Sequence, residues 1–247
     1  MSFKIFFSPS ESKIFPKDFG RDSLLDLPFV SPQALQSYLS AIESASEEKI
    51  CAILGSKRLD LDELARIQNL YNAPRIESIR LYDGVAYGAL DFENLELRAQ
   101  KYLYERVYIF SNLFGALKAN DKIPYYNLHQ GKGFGDFELK KIYQDTKWRL
   151  DEEFSQSAIL DLRAQAYIKV YKPDNVLPSS YYQIEFLKNG KKVSHYAKFY
   201  RGIYLKVLAE LGVENLEDLS RLEIEGLDFV NKQIIKNATI LTYEVQE

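Results

Sequence analysis

Three short apolar runs, far apart in sequence, constrain the fold most. They are Phe3-Lys4-Ile5-Phe6-Phe7, Val107-Tyr108-Ile109-Phe110 and Ala158-Ile159-Leu160-Asp161-Leu162. Each is rich in β-branched, aromatic or leucine residues and is bounded by polar ones, which reads as a buried strand. Helical punctuation lies between them. Ser31-Pro32 sets a capping serine before a proline at the first helical position, predicting a helix to about Ser44. Ser46 opens a second helix that ends near Gly55. Asp60 opens a third to about Leu70, with Leu61, Leu64, Ile67 and Leu70 at helical spacing. Asp83-Gly84 and Gly88 read as turns, and Asn94 as the cap of a helix running to about Arg106. Tyr182–Leu187 and Lys191–His195 flank Asn189-Gly190, the signature of a type I′ hairpin. Tyr196–Leu211 reads as an amphipathic helix with Phe199, Ile203, Val207, Leu208 and Leu211 toward the core. Thr239–Val245 is the last strand. Without repeats, low-complexity stretches or linkers, the chain reads as one α+β domain over residues 1–247. Its mixed β-sheet is surrounded by helices.

Composition excludes several classes. A hydrophobic content of 46% and a charged content of 27% suit a globular protein. No apolar run approaches the ~18 residues of a membrane span, so no membrane is implicated. Cys51 has no second cysteine to pair with, which points to a reducing cytoplasm. One cysteine and two histidines, His129 and His195, give no zinc-like spacing, and no metal or cofactor is implied. Cys51 itself, among Ile50, Ala52, Ile53 and Leu54, reads as packing, and Trp148, with Lys147 and Arg149 beside it, either as core or half-core or as a ring that stacks a base.

The charge distribution is uneven. Net charge is -3, yet Lys169–Lys206 carries eight Lys/Arg against Asp174 and Glu185, an excess of six. Tyr171, Tyr181, Tyr182, Tyr196, Tyr200 and Tyr204 are interleaved with these cations. Val207–Glu247 swings back, with nine acids against three bases. Cations mixed with aromatics suit a polyanion whose phosphates attract charge and whose bases stack. Lys198 and Arg201, three residues apart on one helix, are the first candidates, and a solvated helix face is the plain alternative. Lys169 belongs to the same stretch. Gly202 in mid-helix costs about 1 kcal/mol against alanine, so a close approach of backbone or ligand is expected there. Lys188, Lys191 and Lys192 flank a turn and read as solubilising. Ser8, Ser10 and Lys13 follow the first strand, either as a strand-ending turn, as donors to an anion or nucleotide, or as a Ser/Lys pair for catalysis. Gly131–Gly135 lacks the ending of a phosphate loop and reads as a loop, with Lys132 as a possible cation on a cleft rim.

Several segments together resemble the YaaA peroxide-stress family. They are Ser8-Pro9 with Lys13, Tyr82–Leu90, Phe110–Leu117, Pro124-Tyr125, Asp161-Leu162 with Tyr167-Ile168-Lys169, and Tyr196–Gly202. Their order and spacing hold over nearly the whole chain. The resemblance implies a cytoplasmic bacterial protein of peroxide resistance that binds double-stranded or structured DNA, with a positive cleft and a helix-hairpin-helix element. It implies no cofactor, no obligate protein partner and no established catalysis. The helices around Gly55-Ser56-Lys57-Arg58-Leu59 fit such an element, which makes Lys57 and Arg58 phosphate candidates, although Asp60 and Asp62 oppose phosphate there. The alternative function is an enzyme on a nucleotide or nucleobase. It requires the Ser8–Lys13 loop, Tyr87 of the Tyr82–Leu90 turn, Tyr125 and Tyr167 with Lys169 to meet in one pocket.

Overall fold

The three apolar runs meet at the centre of one sheet. In the computed structural model, residues 3–17, 23–129, 139–174, 177, 179–193 and 195–246 are described. Among them the strands are β1 (Lys4–Phe7), β2 (Arg75–Glu77), β3 (Val107–Phe110), β4 (Ala116–Lys118), β5 (Lys122–Pro124), β6 (Ile159–Asp161), β7 (Tyr181–Lys188), β8 (Lys191–Lys192), β9 (Leu227–Ile235) and β10 (Ala238–Val245). The helices are α1 (Pro32–Ser44), α2 (Glu47–Leu54), α3 (Leu61–Gln68), α4 (Ser78–Leu81), α5 (Val85–Leu90), α6 (Leu97–Arg106), α7 (Leu139–Phe154), α8 (Gln165–Val170) and α9 (His195–Leu211).

The main sheet has eight strands in the order β4-β3-β1-β6-β7-β10-β9, with β8 paired to β7. From β3 to β10 the pairings are parallel, and β4, β8 and β9 join antiparallel. β1 is held on both sides, with Ile5 opposite Val107 and Leu160. Burial on both faces explains why these strands read as continuous apolar runs rather than alternating ones. At the end of β6 lies a buried ion pair. Asp161 Oδ1 accepts from the Arg163 backbone N at 3.0 Å and from its Nε at 2.9 Å, and Oδ2 accepts from Nη2 at 2.6 Å and from the Tyr181 hydroxyl. The guanidinium lies 4.0 Å from the centroid of the Phe110 ring.

The mixed α/β architecture matches the sequence reading, and several details differ. Asn189 and Gly190 have φ of 52° and 70°, as a type I′ turn requires, but β7 finds its long partners in β6 and β10. Val85–Leu90 is the helix α5, capped by Gly84, not a pair of turns. α6 starts at Leu97 behind Glu96, while Asn94 ends a short 3-10 turn. β9 is an additional strand, exposed along its length except at Leu227. Leu208 is buried as expected, but Phe199 and Leu211 are exposed, because the buried stripe of α9 runs through Ala197, Tyr204, Leu205 and Ala209. Trp148 is 66% exposed, so it is neither core nor half-core. Cys51 is half-buried. No helix among the described residues is long and apolar enough to cross a membrane.

Candidate functional site: a cavity at the carboxyl ends of β1 and β6

Because β1 and β6 are parallel neighbours, the chain leaves both at one edge of the sheet. That edge is where open α/β sheets place ligands. Here a cavity of ≈ 230 Å³ opens, between the segment 7–12 after β1, the start of α5, the segment 162–167 after β6, and α9. α9 contributes Lys198 and Arg201.

Two glycines let these walls approach. A Cβ on Gly202 would lie 2.1 Å from the Ala86 carbonyl oxygen and 2.9 Å from the Ala89 Cβ, so α9 can lie against α5 only without a side chain there. The mid-helix glycine thus serves a close backbone approach. Gly84 has φ of 107°, and a Cβ on it would meet the Ser10 hydroxyl at 2.7 Å.

The polar groups of the lining differ in how they are engaged. Ser8 Oγ accepts from the Ala164 backbone N at 2.8 Å, and the Tyr87 hydroxyl donates to the Ser8 carbonyl at 2.9 Å. These bonds fix the loop after β1 against α5 and α8. Tyr167 is 3% exposed and lines the cavity, yet its hydroxyl oxygen has no hydrogen-bond partner among the described residues. Burial raises its pKa, so it stays a neutral donor. Arg201 makes no hydrogen bond or ion pair with the described residues. Burial lowers its pKa, while Asp161 pulls it back up. Glu11, Ser10 and Ser12 add a carboxylate and hydroxyls to the lining. The lining is therefore rich in donors, with two cations on one wall and one carboxylate on another.

Several residues singled out from sequence lie elsewhere. Lys13 is not in the lining. Its Nζ donates to the Glu11 carbonyl at 2.9 Å and sits 4.4 Å from the Tyr126 ring centroid. Burial pulls its pKa down to about 7, with Glu11 and Glu63 opposing. Behind it, the Tyr126 hydroxyl joins those of Tyr82 and Ser111 and the Asn112 side chain. Tyr125 donates to Glu63 and borders a separate hollow with Phe15 and Arg66. Lys169 is exposed on the last turn of α8, outside the lining. Lys57 and Arg58 are exposed, and Lys57 shares a shallow depression with Glu47 and Glu48. The amides at the start of α3 are taken, since Asp60 accepts from Asp62 N and Glu63 N. Gly55, at φ of 71°, packs against the His129 ring. The 55–60 turn is thus held by packing and capping. Lys132 and the Gly131–Gly135 run lie outside the described residues. Of the interleaved tyrosines, Tyr171, Tyr181, Tyr182 and Tyr204 are buried and Tyr200 half-buried, so only Tyr196 has a largely exposed ring.

Comparison with known proteins places this chain in a lineage. The sequence profile described as "Peroxide stress protein YaaA" matches residues 3–233. The chain belongs to the YaaA family. An uncharacterized protein of Campylobacter jejuni, Cj0984, is 39% identical over 87% of this chain and 88% of its own length. A UPF0246 protein of Streptomyces coelicolor is 28% identical over 78% and 79% of the two chains. One of Finegoldia magna is 27% identical over 81% and 85%. Four of the YaaA-like segments, at Ser8-Pro9, Tyr82–Leu90, Asp161–Lys169 and Tyr196–Gly202, supply residues of the cavity lining. Phe110–Leu117 and Pro124-Tyr125 do not. Sequence reasoning missed Glu11 as a lining group and the Asp161–Arg163 pair. An aspartate inside an otherwise apolar strand was the available signal for the latter, since a buried carboxylate needs a partner.

Proposed function

We propose that this member of the YaaA family is a cytoplasmic DNA-binding protein of the bacterial peroxide-stress response, gripping phosphate with Lys198 and Arg201. The observation that supports this most directly is the state of Arg201. It is a partly buried guanidinium with no carboxylate or carbonyl partner among the described residues, facing a cavity shared with a second cation. A phosphate group supplies the bidentate acceptor that such a guanidinium lacks. The cavity is too small for a duplex, which makes DNA with an unpaired or everted nucleotide the favoured form. Gel-shift titration with duplex and mismatched oligonucleotides at several salt concentrations tests the proposal. The expected result is a falling log–log dependence of affinity on salt, shallower by about two in the Lys198→Ala, Arg201→Ala double variant. An unchanged salt slope in that variant would refute it.

A second reading, an enzyme on a nucleotide or nucleobase, is favoured by one specific observation. Ser8, Ser10, Tyr87 and Tyr167 line the same cavity as the two cations, so such an enzyme would work without Lys13, Tyr125 and Lys169, which lie outside it. Product analysis after incubation with nucleotides and oligonucleotides tests this, and release of free base or altered nucleotide would establish it over simple binding.

A further inference from the structure

We infer that the cavity is a built site for a free phosphate monoester bearing hydroxyl or N–H donors, of the nucleoside monophosphate or sugar phosphate class. This deepens the phosphate-binding reading and uses the same site, but it does not require DNA. It stands first on the Tyr167 hydroxyl, buried in the lining and without a hydrogen-bond partner among the described residues. Phenylalanine would fill the same space without desolvating a hydroxyl, so in the ligand-free protein the oxygen gives no return in stability. A ligand acceptor is the partner that makes it useful.

The surrounding chemistry sets the ligand class. Lys198 and Arg201 carry donors and positive charge but no acceptors, which calls for an anion with several oxygens. Glu11 also lines the cavity and already has an interaction within the chain; the lone pairs its carboxylate keeps are unfavourable to a bare anion and favourable to hydroxyl or N–H donors on the ligand body. Ser10, packed against Gly84, offers a hydroxyl able to serve either part. Phe7, Leu162 and Ala86 supply apolar wall. A volume of ≈ 230 Å³ falls below the ~300–1,000 Å³ of drug-sized pockets, which limits the ligand to about one nucleotide.

Isothermal titration of the full chain with adenosine monophosphate, ribose 5-phosphate, inorganic phosphate and adenosine tests this, alongside gel shifts on the same samples. The expected result is binding of the two monoesters, weaker binding of inorganic phosphate, and none of adenosine. Tyr167→Phe should melt at the same temperature or higher while losing roughly tenfold or more in monoester affinity. Ser10→Ala should weaken the same ligands without loss of fold. Equal affinity of Tyr167→Phe and the parent chain would overturn the inference, as would adenosine binding as well as its monophosphate. Inorganic phosphate binding as tightly as the monoesters would overturn the role of the ligand body. If neither monoester binds at millimolar concentration, the inference fails, and the gel shifts then report separately whether the DNA proposal stands.

Discussion

Gly202→Ala is the substitution whose outcome depends most directly on the contact that shapes the cavity. In an unconstrained helix interior this change stabilises by about 1 kcal/mol, because alanine gives up less backbone entropy on folding. Here the added Cβ would lie 2.1 Å from the Ala86 carbonyl oxygen and 2.9 Å from its carbon, both main-chain atoms that no rotamer change can clear. α5 has to shift away from α9. Overpacking of this kind costs typically 1–3 kcal/mol, and the rigid neighbour argues for the upper end. Set against the helical gain, a net loss of about 1–2 kcal/mol is expected, or roughly 2–8 °C in melting temperature for a chain of this size. Gly88→Ala is the internal control. Gly88 is in α5, and a Cβ there would meet nothing within 4 Å. It should gain about 0.5–1 kcal/mol. Differential scanning calorimetry of both variants measures the contrast. Ligand affinity should fall in Gly202→Ala alone, since Ala86 and Tyr87 line the cavity. A melting temperature for Gly202→Ala that rises with that of Gly88→Ala would refute the close-approach argument.

Two further changes probe the groups around the site. Lys13 has its pKa lowered from 10.5 to about 7 by burial, so between those values the unfolded chain binds more protons than the folded one and stability rises with pH. The displacement caps the effect at roughly 5 kcal/mol, and the residue's partial exposure brings it lower. Lys13→Met should therefore raise stability at neutral pH and flatten its dependence from pH 7 to 10, by urea denaturation; an unchanged slope would rule the lysine out as its source. Asp161→Asn leaves Arg163 as a buried charge without its counter-ion, and a loss of about 3–5 kcal/mol in the same assay is expected; a loss under about 1 kcal/mol would show that the charge is compensated elsewhere.

What could be read from the sequence follows from which physical terms are local. β1, β3 and β6 were legible because a strand buried on both faces needs an unbroken apolar run. β9 was not, because Leu227–Ile235 is exposed on both faces and has no alternation to detect. α5 was hidden by Gly84 and Gly88, of which the first permits contact with Ser10. Phe199 was assigned inward from its spacing, but the buried stripe of α9 is set by its glycine-mediated contact with α5. The candidate site shows the same division. Ser8, Ser10, Tyr87, Tyr167, Lys198 and Arg201 were all named from sequence and share one cavity. Lys13 and Tyr125 were grouped with them by motif, yet each has its own partners nearby. Charge counting groups Lys169 with Lys198, but net charge along a chain says nothing of which face each side chain occupies, and Lys57 and Arg58, candidates from the helix-hairpin-helix resemblance, also lie outside this lining.

The position of β1 has a consequence for how the protein is made. Its flanking partners, β3 and β6, begin at Val107 and Ile159. At ~5–20 residues per second, the ribosome needs roughly 5–20 s after β1 to deliver the first of them. During that interval the run Phe3–Phe7 has no sheet to join and must be shielded by transient collapse or a chaperone. The cavity comes later still, since its cationic wall lies on α9. Until Lys198 and Arg201 are made, the chain thus has the serine loop without the cations, and truncation before Lys198 removes that wall of the cavity.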